Sequence, residues 1–531
     1  MKSRELRYLL GFCVAITLSL TSRVHASPTT APTWHIPQNG NETLTNPSFL
    51  AFSPEASTDD LGNSVAAWTW KNPATDEVRI QFAEKIHGVW HKPAITGLGA
   101  ADKYFLSNKG DYADLPRVAT GANFSDAAVV WRQCKGKQFS QFRIFIAERH
   151  NGKWIKPKNV NESLSLPVSK AEAPSIAMNN QGAMIVAWQQ IDPADGKSKI
   201  FSAYRKGGSF IYQSGQWKYQ LGKWLQKPVA VDSAHALSAS SLGDAYWPEV
   251  AIDSEGDAVM TWYQYASTQA NPDTVRVYHR RFSQKNNSWG PAIQLSQHKK
   301  GLQLWPMIAS SKAADQFAII WAGEYNLSWG TTHTFLATQG LSGTPPATVA
   351  EFSSPNQFKP LSLKNESSVC SADFYDPPRV AINRNGNLVA TWSQRSHQNN
   401  FNQSSIFIAE LRDGNWSQPK AFSDAISPQD SVTLARNPVV GIDESGYTAI
   451  AWAQADQYGK QQLYMAETEK NAAGQTEWIK PFDTANITGP AEGYTVLDPK
   501  ISLNAHGAGT LIWGKSSMKQ DQSVLYIGER Y

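Results

Sequence analysis

The chain has few cysteines, little net charge and no long apolar segment beyond its N-terminal region. Three cysteines in 531 residues are too few for a disulfide-built scaffold, so a hydrophobic core must stabilise the fold. The net charge of +4 is small for this length and gives no electrostatic basis for binding nucleic acid or an anionic membrane surface. No later stretch is apolar enough to cross a bilayer. The composition therefore excludes a disulfide-rich, a nucleic-acid-binding and an integral membrane protein.

The N-terminal region has the parts of a secretory signal peptide. Basic residues precede an apolar run over about residues 8–20, and residues 24–26 (Val-His-Ala) supply the small or apolar side chains of a cleavage site. We therefore expect cleavage after Ala26 and a secreted or periplasmic protein. Removal of residues 1–26 leaves 45 basic and 44 acidic residues, a net charge of +1.

Two short apolar runs around a polar, Gly-containing turn recur along the whole chain. Residues 248–264 have this pattern with the turn at 253–256, and residues 378–394 and 438–454 repeat it. The pattern predicts a β-hairpin. One Trp ends each second strand: Trp68, Trp131, Trp188, Trp262, Trp321, Trp392, Trp452 and Trp513. One Pro opens each first strand: Pro47, Pro116, Pro174, Pro248, Pro306, Pro378, Pro438 and Pro499.

Each repeat continues with two more strands. Residues 80–84 (Ile-Gln-Phe-Ala-Glu) exemplify the third strand, and Trp90 with Pro93 marks the fourth. A four-stranded sheet cannot bury both faces alone, and radial stacking of such sheets gives a β-propeller. The last repeat lacks a fourth strand, whereas residues 34–37 (Trp-His-Ile-Pro) carry its signature. The sequence predicts an all-β fold: one eight-bladed β-propeller of four-stranded antiparallel blades over residues 27–531, closed by residues 34–37.

Unequal loop lengths indicate which face carries the site. The second-to-third loops and the inter-blade connections are long and emerge on the same rim, where binding residues concentrate. Residues just before each strand-opening Pro should stand at the channel mouth, where aromatic rings and carboxylates suit a sugar. Their alternative role is structural, as rings packed between blades and acids that cap turns. The candidate ligand-binding residues are Tyr112, Asp114, Tyr246, Trp247, Trp305, Tyr375, Asp376, Tyr494 and Asp498.

Two near copies of one motif lie in blades that should face each other. Residues 114–118 (Asp-Leu-Pro-Arg-Val) and 376–380 (Asp-Pro-Pro-Arg-Val) contain Arg117 and Arg379. These arginines either point into the channel and bind a carboxylate or sulfate, or pair with acids of neighbouring blades. On the long-loop side of the same two blades, Cys134 and Cys370 form either a disulfide or two free thiols.

The sequence has no convincing cofactor or metal motif. Residues 509–516 fit the nucleotide P-loop pattern, but they align with the second strand of other repeats and no helix follows. His87 and His91 lie on a hairpin, so they do not share a face as zinc ligands would. We expect no cofactor, no metal, no nucleic-acid partner and no membrane insertion. The expected protein is a monomer with a glycan or protein ligand.

The pattern Pro-x-Val-Ala-Ile-Asp-x-x-Gly-x-Ala-x-x-x-Trp-x-Gln, with a later Gly-x-Trp-x-x-Pro, resembles repeats of bacterial secreted β-propeller proteins, many of unknown function. The third-to-fourth turn followed by Trp is similar to the sialidase Asp-box, although residues 87–90 and 413–416 lack its Ser-x-Asp-x-Gly spacing. The resemblance implies a sialidase-like propeller. A sialidase also needs an arginine triad, an acid and a Tyr-Glu pair, of which only Arg117 and Arg379 can be matched.

Three functions follow from this architecture. The first is a secreted or periplasmic non-catalytic binding protein with a glycan or protein on the long-loop face. The first alternative is a sialidase-like glycoside hydrolase that uses carboxylates such as Asp114 and Asp376 as acid and base or nucleophile. The second is a structural scaffold for protein–protein interaction. The fold alone does not choose among them.

Overall fold

The structure is a computed structural model. It describes residues 33–37, 42–94, 102–122, 126–150, 152–167, 169–213, 216–220, 223–226, 237–238, 242–265, 274–295, 302–311, 316–324, 332–340, 359–360, 367–368, 376–395, 403–428, 434–455, 461–472, 474–482, 494–517 and 523–531. The predicted signal peptide, Tyr375 and Cys370 lie outside these residues, and Tyr494 is described by its backbone alone.

The described chain folds into successive antiparallel β-sheets, which we number in chain order. Sheet 1 contains Leu50–Thr58, Ser64–Asn72, Glu77–Ile86 and Val89–His91. Sheet 2 contains Tyr112–Thr120, Asp126–Cys134, Arg143–His150 and Lys153–Ile155. Sheet 3 contains Ala171–Met178, Met184–Ile191, Ser198–Arg205 and Trp224–Gln226, with a separate hairpin of Ser209–Gln213 and Gln216–Gln220. Sheet 4 contains Ala245–Ile252, Ala258–Tyr265, Val275–Ser283, Ser288–Trp289 and Ile293–Gln294.

The second half of the chain repeats this arrangement. Sheet 5 contains Gln303–Ser310, Gln316–Glu324, Thr332–Gly340 and Lys359–Pro360. Sheet 6 contains Ser367–Ser368, Arg379–Ile382, Leu388–Arg395, Ser404–Arg412 and Asn415–Ser417. Sheet 7 contains Leu434–Ile442, Thr448–Ala455, Gln461–Lys470 and Thr476–Phe482. One parallel pairing, between Ser404 and Leu434, joins sheets 6 and 7 into a single hydrogen-bonded sheet. Sheet 8 contains Tyr494–Leu503, Gly509–Ser517, Ser523–Arg530 and Trp34–His35.

The prediction of an all-β fold of four-stranded antiparallel sheets is confirmed, and this architecture is that of a β-propeller. Helical structure among the described residues is limited to the short 3₁₀ segments Asp102–Tyr104, Phe139–Gln141, Val160–Glu162 and Phe422–Asp424. The first strand of each sheet contacts the first strand of the next, and Tyr494–Leu503 contacts Leu50–Thr58. Trp34 and His35 pair with Arg530 and Glu529, so an N-terminal strand completes sheet 8.

The repeated Trp residues form the core of the sheets. All eight are at most 2% exposed. In five sheets the indole N–H donates to the Gln two positions later, as in Trp131 with Gln133 (2.9 Å) and Trp392 with Gln394 (3.1 Å). A buried indole needs such an acceptor, because an unpaired polar group in the core is destabilising. The Trp-x-Gln spacing in the sequence therefore reflects hydrogen-bond satisfaction inside each sheet.

Neighbouring sheets are connected through their hairpin turns. An Asn that opens the turn between the first and second strands donates its amide N–H to a backbone carbonyl in the next sheet's turn. These donor–acceptor pairs are Asn179 with Asp253 (2.9 Å), Asn383 with Asp443 (3.1 Å) and Asn504 with Asp59 (2.8 Å). The third pair joins sheet 8 to sheet 1, so the same contact recurs between the last and first sheets.

A second inter-sheet contact lies at the outer strands. A Glu near the end of a third strand accepts an indole N–H from the following sheet: Glu529 from Trp90 (2.9 Å), Glu84 from Trp154 (3.2 Å) and Glu148 from Trp224 (3.1 Å). The same carboxylates form salt bridges with Lys85 (2.7 Å), Arg149 (2.9 Å) and Arg205 (2.6 Å), respectively. Charge-assisted hydrogen bonds of this kind are stronger than neutral ones. The Glu near the end of the third strand thus serves to join adjacent sheets.

Candidate functional site

A β-bulge interrupts the first strand of most sheets at the residue before a Pro. In these sheets the Pro lies inside the strand, so the prediction that it opens the strand is wrong, and in sheet 1 the Pro at the bulge is Pro54 and not the predicted Pro47. The residues before the Pro have a left-handed backbone although none is glycine: Ser53, Leu115, Ala173, Trp247, Trp305, Asn437 and Asp498, with φ between 44° and 53°. The strand register shifts at each of these positions. A left-handed residue other than Gly costs about 1–2 kcal/mol. In sheet 6 the corresponding residue is Pro377, whose ring fixes φ in the negative region.

Each bulge changes the direction of the side chain that follows the Pro, and most of these side chains lie close to one another. We call the following residues the inner cluster: Glu55, Arg117, Ser175, Glu249, Met307, Arg379 and Lys500. Val439 holds the equivalent position in sheet 7. A bulge is a common device for redirecting a side chain next to a functional site. The inner cluster therefore comes from different sheets that share one backbone feature.

Arg117 lies between two carboxylates of the inner cluster. Its guanidinium forms an ion pair with Glu55 and contacts Glu249 at 3.9 Å. The Lys500 ammonium is 3.1 Å from Glu55, and the Ser175 hydroxyl donates to Glu249 at 2.8 Å. All four charged side chains retain between 17% and 32% exposure, so solvent and a small ligand can reach them.

The charged groups of the inner cluster shift one another's pKa values. Burial raises the pKa of Glu55, but Lys500 and Arg117 lower it by more, so the carboxylate has a pKa below its ordinary value. Burial lowers the pKa of Lys500, with Glu55 opposing and Arg379 reinforcing that effect. Burial likewise lowers the pKa of Arg379, against the attraction of Glu249. Glu55 is therefore held ionised by two cations.

Arg379 has the weakest set of partners in the inner cluster. Its Nη1 donates to the Met307 sulfur at 3.1 Å. Within the part of the chain that the structure describes, no carboxylate lies within salt-bridge distance of Arg379. A guanidinium carries five N–H donors and a thioether is a weak acceptor. Arg379 therefore retains hydrogen-bonding capacity for an oxygen-rich ligand.

A cavity of about 140 Å³ adjoins the inner cluster. Glu55, Arg117 and Lys500 line it together with Asp498 and Trp247. Trp247 is 39% exposed, which is unusual for so large an apolar side chain. The cavity thus combines charged groups with an aromatic wall, the combination that sugar-binding pockets use.

Arg117 and Arg379, predicted from the repeated motif, are brought to the same group of carboxylates. Both arginines interact electrostatically with Glu55 and Glu249. Asp114 lies apart from them, in a bidentate ion pair with Arg132 at 2.6 and 2.9 Å. Arg132 also forms a salt bridge with Glu172 of sheet 3 at 2.6 Å, so Arg132 joins sheets 2 and 3.

The remaining candidates fall into two groups. Tyr112 packs edge-on against Phe139, with 5.0 Å between ring centroids, and burial raises its pKa to about 12. Asp376 accepts the backbone N–H of Asn437 at 2.7 Å. Tyr246 and Trp305 are partly buried against the core between sheets 4 and 5. Among the predicted aromatic and acidic candidates whose side chains the structure describes, only Trp247 and Asp498 line the cavity with Arg117.

The sequence reasoning missed Glu55, Glu249 and Lys500. A signal existed for Glu249 and Lys500, because each directly follows the repeated Pro, as Arg117 and Arg379 do. Glu55 follows Pro54, whereas the predicted Pro of the first repeat was Pro47. The predicted aromatic and acidic candidates precede the Pro instead. The bulge explains the difference, since it turns the side chain after the Pro toward the cluster.

Cys134 is buried, and its thiol contacts the Gly136 carbonyl at 3.7 Å. Burial raises the pKa of this thiol to about 11, so it is a poor nucleophile. Because Cys370 lies outside the described residues, a disulfide between the two stays a prediction. In the described ranges, no group of three or more His, Cys, Asp or Glu side chains is arranged to hold a metal ion. No helix in those ranges is long and apolar enough to span a bilayer.

Comparisons with known proteins give structural matches alone. No family model matches the chain, and no curated protein matches it. A polysaccharide lyase has a TM-score of 0.41 and 9% identity over 76% of this chain and 87% of that one. An alpha-L-arabinanase of Penicillium chrysogenum, complexed with arabinobiose, has a TM-score of 0.36 and 9% identity over 93% and 98%. A Hadza microbial sialidase has a TM-score of 0.33 and 10% identity over 76% of each chain.

The main functional prediction, a non-catalytic binding protein, is wrong against these comparisons. The similar structures are named as a lyase, an arabinanase and a sialidase, which are enzymes that act on carbohydrates. The alternative prediction, a glycoside hydrolase, agrees better with them.

Proposed function

We propose that the protein is a carbohydrate-active enzyme, a glycoside hydrolase whose active site is the inner cluster. The observation that carries this proposal is the contact of one guanidinium, Arg117, with the carboxylates of both Glu55 and Glu249. Glycoside hydrolases use two carboxylates on either side of the scissile bond. A shared guanidinium limits the separation of Glu55 and Glu249 to less than about 10 Å, the upper end of the range for such pairs.

The two carboxylates differ in their surroundings, which suggests separate roles. Glu55 has two cations close by and a lowered pKa, so it is the candidate nucleophile or base. Glu249 accepts the Ser175 hydroxyl and faces the guanidinium at the longer distance of 3.9 Å, so we assign it as the second carboxylate of the pair. In this proposal Asp114 and Asp376 have structural roles, because Arg132 and the Asn437 N–H already occupy their oxygens.

Arg379 and Lys500 are the candidate groups that bind the sugar. Arg379 has only a thioether as its described hydrogen-bond acceptor, and Lys500 shares the cavity with Trp247. An arginine with free donors binds a carboxylate or sulfate in bidentate geometry. The substrate that fits best therefore carries an acidic group beside its reacting bond.

The test is a screen for reducing-end release by the mature chain, residues 27–531, on acidic and neutral polysaccharides. Glu249→Gln and Glu55→Gln should each lower kcat by a factor on the order of 10²–10⁴ while the melting temperature stays close to that of the wild type. Glu444→Gln is the matched control, because that carboxylate pairs with Arg384 on a hairpin turn outside the inner cluster. A folded Glu249→Gln variant with wild-type turnover would overturn the assignment.

We also propose that the sheets form a closed ring of eight blades. Support comes from the contacts between sheet 8 and sheet 1, including Lys85 with Glu529, and from the pairing of Trp34 with Arg530. Residues 1–26 have the pattern of a signal peptide, so the proposed site of action is outside the cytoplasm. An extracytoplasmic location suits an enzyme that acts on polysaccharides too large to enter the cell.

A further inference from the structure

Four aromatic residues of sheet 4, of which Trp247 lines the cavity, form what we call the aromatic platform: Tyr246, Trp247, Tyr263 and Tyr265. The ring of Tyr246 is 5.8 Å from that of Tyr263 and 6.0 Å from that of Tyr265, centroid to centroid. Trp247 lines the cavity and is 39% exposed, while Tyr265 is 36% exposed. The platform therefore continues from the cavity wall onto the open surface of the protein.

Hydrogen bonds fix the platform in place. The backbone N–H of Trp247 donates to Gln189 of sheet 3 at 3.0 Å, and the Trp247 side chain is close enough to Tyr263 to oppose the rise that burial causes in the pKa of Tyr263. The backbone N–H of Tyr265 donates to the Asp244 carbonyl at 3.0 Å. Rings that are already ordered lose little conformational entropy when a ligand stacks on them. These contacts are those of a preformed binding surface.

The size of the cavity limits what it can contain. At about 140 Å³ it is smaller than the roughly 300–1,000 Å³ of pockets that enclose a whole drug-sized ligand. A chain of sugars with one unit in the cavity must therefore extend out of it. The aromatic platform is continuous with the cavity through Trp247, so it lies on one exit path.

We propose that the aromatic platform binds further units of a carbohydrate chain, so that the substrate is an oligosaccharide or polysaccharide and not a single sugar. This inference rests on the proposed function, because it assumes that the reacting unit occupies the inner cluster. Each sugar ring presents an apolar face that stacks on an aromatic ring, and the phenol hydroxyl and indole N–H offer polar contacts at the ring edge. Tyr265 is the exposed residue of the platform that lies farther from the cavity. Only a longer substrate reaches it, so it distinguishes long from short substrates.

The experiment measures binding and turnover of size-defined oligosaccharides of polygalacturonate, alginate, hyaluronan and arabinan, with sialyllactose as a short acidic probe. The wild type should bind longer chains more tightly than dimers. Tyr265→Ala should lower affinity for the long chains about tenfold and leave dimers unchanged. Tyr265→Phe, which keeps the ring, should retain the wild-type preference. Leu61→Ala, which removes an apolar side chain that is 71% exposed on a hairpin turn, is the control.

The outcomes separate this inference from the function on which it rests. Length-dependent affinity that Tyr265→Ala removes and Tyr265→Phe restores would support it. Turnover of a probe with no dependence on chain length, or with no effect of Tyr265→Ala, would overturn the platform and leave the hydrolase standing. Failure of the wild type to bind or cleave any of these probes would overturn the proposed function and the platform with it.

Discussion

The Lys85 ammonium of sheet 1 lies 2.7 Å from the Glu529 carboxylate of sheet 8, near the opposite end of the chain. Both side chains are largely buried, at 4% and 11% exposure. Glu529 also accepts the indole N–H of Trp90 at 2.9 Å. Because this contact joins sheet 1 to sheet 8, it is a measure of how much the junction of the first and last sheets stabilises the fold.

We predict that Glu529→Ala lowers the free energy of unfolding by about 3–5 kcal/mol, because it leaves Lys85 buried without its counter-charge. Replacing both partners, as Lys85→Met with Glu529→Gln, should cost much less because no buried charge is left unpaired. Urea denaturation measures both effects. The exposed Glu469, on Gln461–Lys470, provides the control substitution Glu469→Ala. Equal stability of Glu529→Ala and Glu469→Ala would show that the salt bridge contributes nothing.

Arg379→Lys should raise KM on acidic substrates about tenfold or more, since a lysine cannot reproduce bidentate binding of a carboxylate or sulfate. Turnover of neutral substrates should change little. The matched control is Arg384→Lys, because the Arg384 side chain is 59% exposed and lies on a hairpin turn. Steady-state kinetics on paired acidic and neutral substrates supplies the comparison. Unchanged KM on every acidic substrate would remove Arg379 from the proposed site.

His150 should make stability depend on pH. Its ring nitrogens lie 3.0 Å from Asp126 and 3.3 Å from Glu148, and Arg205 pairs with the same Glu148. Burial lowers the pKa of His150, but hydrogen bonds to the two carboxylates raise it by more, and the net shift is upward. A raised pKa contributes stability that is fully present below the unfolded value of about 6.5 and is lost as pH rises through the folded pKa.

Unfolding free energies measured between about pH 6 and pH 9 should therefore fall for the wild type as the pH rises, relative to His150→Gln. The lowered pKa of Glu148, where burial is outweighed by His150 and Arg205, acts in a different range, because its contribution is lost only as pH falls below the unfolded value. Parallel pH profiles for the wild type and His150→Gln would contradict the prediction.

Cys134 should react slowly with thiol reagents in the native protein. The thiol is buried, and burial raises its pKa to about 11, so little thiolate exists at neutral pH. Unfolding in urea should make it react at the rate of an ordinary cysteine. A native protein whose thiols appear only after reduction would instead establish the predicted disulfide with Cys370. Labelling followed by peptide mass spectrometry distinguishes these results.

Much of the fold could be predicted from the sequence because it arises from local patterns that repeat. The Trp that ends each second strand marks its buried face, and the Gln two residues later marks its hydrogen-bond acceptor. The Pro that recurs in the first strands marks the position of the bulge in most sheets, although in sheet 1 that Pro is Pro54 and not the predicted Pro47. These signals depend on neighbours within one sheet, so period, turn and strand can be inferred without knowing how the sheets are arranged.

The candidate site depended on contacts that no local pattern contains. Arg117 and Arg379 could be proposed together because their motifs are copies of each other. Glu55 and Lys500 have no such likeness, and they come together only because sheet 8 packs against sheet 1. Glu249 joins them through Arg117. The sequence by itself determined the repeating sheet and its buried Trp, because period-two burial is a local property. The tertiary structure alone decided which charges meet, because left-handed bulges in separate sheets turn distant side chains toward one another.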